Sequence, residues 1–146
     1  MLVQQRTQYD CALACLAMVS GKPYDELWDA EFCERIEKAT TCTDEDLVEA
    51  YRRAGFERDK NMRSVYVGQN VNPIIVRALI WGRRAMIQVP SLNHEGSEHF
   101  VFWDGRRILD PSTKQTYKFL QHLFPTYVTV FDEAAPNGQD QPGRTG

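Results

Sequence analysis

Four residues carry the chemistry this chain can offer: Cys11, His99, Asp110 and Gln5. A thiol attacks as its thiolate, and a helix N-terminus favours that form through unpaired backbone N–H groups and the positive end of the helix dipole. The stretch Asp10-Cys11-Ala12-Leu13-Ala14-Cys15-Leu16-Ala17-Met18-Val19 provides such a place. Asp10 is a good N-cap type, residues 12–19 are an almost unbroken apolar helix-forming run, and Ser20-Gly21-Lys22-Pro23 stops it. Cys11 is then the first helical residue. The neighbouring Asp10 carboxylate opposes the thiolate weakly, and the helix prevails if that charge is spent on the cap. A helix that is apolar nearly all round must be buried, so its N-terminus is the part that reaches a cleft. Cys15, one turn deeper, does not reach it.

The second stretch is His99-Phe100-Val101-Phe102-Trp103-Asp104-Gly105-Arg106-Arg107-Ile108-Leu109-Asp110-Pro111. Asp-Gly between apolar runs signals a two-residue hairpin turn. With Asp104 and Gly105 as the turn, Trp103 pairs with Arg106, Phe102 with Arg107, Val101 with Ile108 and Phe100 with Leu109. His99 then falls opposite Asp110. Directly opposed residues share a face with Cβ atoms about 4.5–5.5 Å apart, near enough for an imidazole and a carboxylate to hydrogen-bond. A thiol at a helix end, a preceding glutamine and a His/Asp pair on a hairpin are together the equipment of acyl transfer through a thioester.

These residues resemble the papain-like cysteine peptidases of the C39 type, the fold of bacteriocin-processing peptidases that cut leader peptides after paired glycines. In that pattern a glutamine precedes an acidic residue, a cysteine and a helix of small and apolar residues. Gln5, Asp10-Cys11, Ala14, Leu16 and Met18 match it. An apolar strand at Ala85 to Val89, then His99-Phe100-Val101, then Asp110-Pro111 follow in the family's order. The likeness runs over nearly all of residues 3–131, although between 21 and 72 it amounts to a similar number of helices. It implies a papain-like fold with Cys11 as nucleophile, His99 as general base and then acid, and Asp110 orienting His99. It also implies that Gln5 and the Cys11 backbone N–H form the oxyanion hole. Gln4 and Gln8 compete for that role, and Gln5 is preferred by its spacing to Cys11. The chain departs from the family in having Ala12 where glycine is common, and it has neither the membrane segment nor the nucleotide-binding motif of the family's transporter-fused members. A free-standing peptidase, isopeptidase or related thiol acyl-transfer enzyme, acting on a peptide or protein after small or glycine residues, is therefore expected. The alternative is an inactive papain-like module that binds a peptide or partner protein, and the intact Gln5, Cys11, His99, Asp110 set argues against such decay.

The elements that must position these residues follow an α+β order, helices first and a mostly antiparallel sheet second. Pro23 opens a helix over 23–38 with Leu27, Trp28, Phe32 and Ile36 facing inward. Thr43-Asp44-Glu45-Asp46 caps another over 43–54 with Leu47, Val48, Ala50 and Tyr51 as its apolar positions. Ser64 to Val67 reads as a short strand or an extended loop. Asn72-Pro73 starts a helix over 73–81 whose Ile74, Ile75, Ala78, Leu79 and Trp81 look core-like. Strands are expected at 85–89, on both sides of Asp104-Gly105, and at 127–131. His94 and His122 read as ordinary surface residues, although His94 lies in the polar loop at 91–98 that leads to His99 and that, with Glu95 and Glu98, could line a substrate groove. A short helical piece near 115–124, holding His122, precedes the last strand, and residues 134–146 read as a disordered tail after a single domain at 1–133.

Composition narrows the classes further. With 146 residues and 42% hydrophobic content, the chain is one domain able to bury a core without staples. The net charge of −3 gives no basic footprint for nucleic acid. No apolar run is long enough to cross a membrane, and residues 1–6 lack the layout of a signal peptide, so a cytoplasmic protein is expected. Cys15, Cys33 and Cys42 read as buried small hydrophobes, and Trp81 and Trp103 as core. A zinc site from the four cysteines with His94 or His99 is disfavoured, because no Cys-x-x-Cys pair exists and the spacing is irregular. Nucleotide and phosphate fingerprints are absent, so no cofactor is implied.

Overall fold

A helix apolar on all sides needs cover on all sides, and the fold is arranged around that need. The computed structural model describes residues 2–40, 42–68, 71–90, 98–112 and 125–133. Its helices are α1 (Cys11–Ser20), α2 (Tyr24–Leu27), α3 (Ala30–Ala39), α4 (Asp44–Arg53) and α5 (Pro73–Ile80). The strands are β1 (Met62–Tyr66), β2 (Arg84–Pro90), β3 (Glu98–Trp103), β4 (Ile108–Leu109) and β5 (Tyr127–Phe131), in the sheet order β1-β5-β2-β3-β4 with every neighbouring pair antiparallel. This is the expected α+β class.

Every residue of α1 from Cys11 to Val19 is buried. Leu13, Leu16 and Val19 pack with Tyr24, Leu27, Trp28, Phe32, Ile36 and Tyr51 from α2 to α4 and with Met62, Met86, Phe102 and Phe131 from the sheet. On the sheet's other face a second core joins Val76 and Ile80 of α5 to Ala85, Ile87, Val89, Val101, Trp103 and Val128. Residues of β2 alternate between the two cores, so this strand is apolar at nearly every position.

Local chemistry sets several boundaries. The single helix expected over 23–38 is two, because Trp28 is extended and the Asp29 carboxylate caps α3 by accepting the Phe32 N–H at 2.7 Å. Thr43 and Asp46 form the expected capping box of α4. Val48, read as core-facing, is 59% exposed, since Ala50 and Tyr51 take the inward positions. On α5, Asn72 caps the start by accepting the Ile74 N–H, but Ile74, Ile75, Ala78 and Leu79 are exposed, as is Trp81 beyond it. Two turns of helix lying on a sheet can bury one row only, and Val76 with Ile80, one turn apart, is that row. The expected helical piece near 115–124, most of the 91–98 loop with His94 and Glu95, and the 134–146 tail lie outside the described residues. Among the described residues, no helix is long and apolar enough to cross a membrane.

The hairpin register differs from the expectation. Phe102 pairs with Leu109 and Trp103 with Ile108, leaving a four-residue connection rather than two. The Asp104 carboxylate explains the longer turn: it accepts the N–H groups of Arg106 and Arg107 at 2.8 and 2.7 Å, and Gly105 takes the positive φ of 109° that closes the loop. Carried on, this pairing sets Asp110 opposite Val101, so His99 and Asp110 are diagonal rather than directly opposed.

The unequal cover of α1 and α5 gives a stability contrast. Leu16→Ala, in the fully buried helix, should cost about 2–5 kcal/mol, whereas Leu79→Ala, on the exposed row of α5, should stay within about 0.5 kcal/mol. Urea unfolding of the two variants beside the parent protein measures both.

Candidate active site

Cys11 stands at the first position of α1 and, at 9% exposed, is the most accessible of that helix's buried residues. Asp10 occupies the N-cap position but does not cap: no side-chain bond closes the helix start. Its carboxylate, 1% exposed, turns back along the chain instead. Oδ2 accepts the Arg6 N–H at 2.9 Å and the Tyr24 hydroxyl at 2.7 Å, and Oδ1 accepts the Thr7 N–H at 2.8 Å and the Thr7 hydroxyl at 3.0 Å. The Asp10 charge is therefore spent, though on the preceding segment rather than on the cap. Among the described residues no side chain caps the first-turn N–H groups of α1, which is the condition under which a helix start can stabilise negative charge.

His99 sits near the start of β3, 4% exposed, and its Nε2 lies 2.8 Å from Asp110 Oδ1. Asp110 is itself held, with Oδ1 also accepting the Ser112 N–H at 2.9 Å. The direct opposition expected for the two residues is wrong, yet they meet. A register change of two residues is even, so it returns each side chain to its original face, and a diagonal pair on one face is within reach of long side chains. Desolvation by burial works against a charged His99. The hydrogen bonds to Asp110 and to Cys11 and the negative charge of both outweigh it and push His99 up to about 9.

The other thiols are different. Cys15 is fully buried, and burial followed by the charges of Cys11 and Asp110 pushes its thiol well up. Cys33 and Cys42 are half-buried rather than buried as expected. Burial first, and then nearby carboxylates, raise both, the Cys33 rise being partly offset by a hydrogen bond to Tyr24 and the Cys42 thiol reaching about 12. All four cysteines are free.

Of the three candidate glutamines, Gln4 and Gln8 are exposed and Gln5 is half-buried. The Gln5 backbone N–H donates to the Pro111 carbonyl at 2.9 Å, joining the segment before α1 to the residue after Asp110. Its side-chain Nε2 donates one hydrogen to the Thr7 carbonyl at 2.8 Å and has a second to offer. The structure thus brings Cys11, His99 and Asp110 together and sets Gln5 on the strap that enters the helix. Sequence reasoning missed Tyr24, whose helical spacing reads as core, and Thr7, although Thr7 three residues before an acid is a recognisable local hydrogen-bonding pattern. Among the described residues no cluster of three or more His, Cys, Asp or Glu side chains could hold a metal ion. No protein-family model matches the chain, and no curated protein matches it.

A thiol, an imidazolium and a buried carboxylate close together are the groups that make and break a thioester, and the state of His99 is directly observable. Its raised value means that its contribution to stability is complete below the ordinary histidine value of about 6.5 and is lost as pH rises through about 9. An NMR titration should place the His99 ring near 9. In Asp110→Asn the first upward influence is gone while burial remains, so the midpoint should fall. An unchanged midpoint in that variant would contradict the assigned cause.

Proposed function

We propose that this protein transfers acyl groups through a thioester on Cys11. Within that class, we read it as a papain-like cysteine peptidase of the C39 type that hydrolyses a peptide or isopeptide bond. The observation that carries the reading is the buried His99–Asp110 contact at 2.8 Å, with Cys11 near enough to the same imidazole to help hold it protonated. A buried helix bearing the thiol at its start, packed on an antiparallel sheet bearing the histidine, supports the papain-like arrangement.

The chemistry follows from the roles. The Cys11 sulfur attacks the carbonyl carbon, and the carbonyl oxygen gains negative charge, which the Cys11 backbone N–H and the Gln5 amide stabilise. As the tetrahedral species collapses, the C–N bond breaks and the His99 imidazolium gives its proton to the departing amine. His99, now neutral, takes a proton from water, and the hydroxide attacks the thioester. The C–S bond breaks, the acid product leaves, and the Cys11–His99 pair is restored. Asp110 keeps the ring oriented and favours its charged form throughout. A peptide or protein with small or glycine residues before the cut bond is the substrate we expect, and four unpaired thiols suit a cytoplasmic, reducing setting.

Site-resolved alkylation tests this. Iodoacetamide at neutral pH, read by peptide mass spectrometry, should label Cys11 well before Cys15, Cys33 and Cys42, whose thiols burial holds up. His99→Ala should remove the Cys11 advantage while the protein stays folded. Equal labelling of the accessible cysteines in the parent, or an advantage that survives His99→Ala, would overturn the reading and favour a binding module.

A further inference from the structure

We propose that Asp10 is a positioning residue for the oxyanion hole: through Thr7 its buried carboxylate shapes the 5–10 segment so that the Gln5 amide is held toward the reacting carbonyl. The inference rests on the acyl-transfer reading and adds to it residues outside the triad.

A carboxylate buried to 1% normally needs a cationic partner, and none of the four groups bonded to Asp10 is one. It is satisfied by two backbone N–H groups and two hydroxyls, three of the four belonging to Arg6 and Thr7. Thr7 is thereby fixed at its N–H and its hydroxyl, which also accepts the Tyr9 N–H at 3.1 Å. Its carbonyl, the remaining polar group, accepts from Gln5 Nε2 at 2.8 Å. That single bond fixes which way the amide faces, because the Gln5 Oε1 is buried without a partner among the described residues and gives no anchoring of its own. The chain of contact therefore runs from Tyr24 to Asp10, Thr7 and the Gln5 amide. Its outer end is anchored too, since the Arg6 guanidinium lies 4.0 Å over the Tyr24 ring and pairs with Asp25 at 2.6 Å. A carboxylate that only capped α1 would do none of this. Asp10 instead leaves the cap open and, through Thr7, fixes the orientation of the Gln5 amide.

Comparing two reactions of Cys11 separates positioning from mere stapling. In acylation by p-nitrophenyl acetate the S–C bond forms through an oxyanion, the C–O bond to the aryl group breaks and p-nitrophenolate leaves. In alkylation by iodoacetamide the S–C bond forms as iodide leaves, with no oxyanion. Gln5→Ala should lower acylation by about 10²- to 10³-fold with alkylation at the parent rate. Thr7→Val and Tyr24→Phe should lower acylation by about 10- to 100-fold, again without slowing alkylation. Thr7→Ser, which keeps the hydroxyl, should restore it. Adding Thr7→Val to Gln5→Ala should cost nothing more, because both act through one donor. If Thr7→Val and Tyr24→Phe leave acylation at the parent rate while Gln5→Ala lowers it, or if they slow both reactions together, the positioning role is overturned and the peptidase reading stands. If Gln5→Ala itself changes nothing, the donor assignment and the positioning role fall together. A parent protein that is not acylated at Cys11 at all removes the acyl-transfer reading and this inference with it. Should Thr7→Val fail to fold, Tyr24→Phe, which deletes one oxygen, carries the same comparison.

Discussion

The constraint on which this structure depends is the burial of α1. A ten-residue helix with no polar face cannot be laid on a surface; it has to be enclosed, and α2 to α4 enclose one side while the sheet encloses the other. Enclosure removes every direction of approach except the ends. At the N-terminal end the first residue is a cysteine, and the strand packed against the helix is the one that carries His99. Core packing and the proposed chemistry are therefore the same arrangement seen at two points along one helix.

Electrostatics refine what packing brings together. Two buried carboxylates lie near the thiol, and they are handled differently. Asp110 is directed at an imidazole, which gains a charge that burial alone would deny it. Asp10 is directed away, into four neutral donors, so its charge is met before it opposes the sulfur. Reversing the two would leave the histidine neutral and the thiol beside an unshielded anion. The order of the elements along the chain matters less than this division between the carboxylate that serves the imidazole and the one that serves the backbone.

Much of this was legible from residue types. Periodicity located α1, α4, α5 and the central strands because each has strong local signals: an apolar run with a glycine stop, a Thr43–Asp46 box, an Asn-Pro start. The His99–Asp110 pair was legible for a partly wrong reason. The Asp-Gly rule sets a two-residue turn, but the Asp104 side chain captures two backbone N–H groups and lengthens it, and the pair survives because the resulting shift is even. What could not be read was the long-range half of each polar contact. Asp10 looks like a cap by position, and only the fold brings Tyr24, fourteen residues on, to its carboxylate. Likewise periodicity marks Ile74, Ile75 and Leu79 as apolar without telling which row of a short helix the sheet covers.

The central claim is that Cys11 forms a thioester, and it is tested most directly by trapping one. A short peptide ending in a glycine ester, mixed with the protein and quenched in acid at successive times, should give by intact mass an acyl adduct that maps to Cys11. That adduct should decay to free acid in the parent protein and fail to form in Cys11→Ala. No adduct, or one spread over Cys33 and Cys42, would contradict the account.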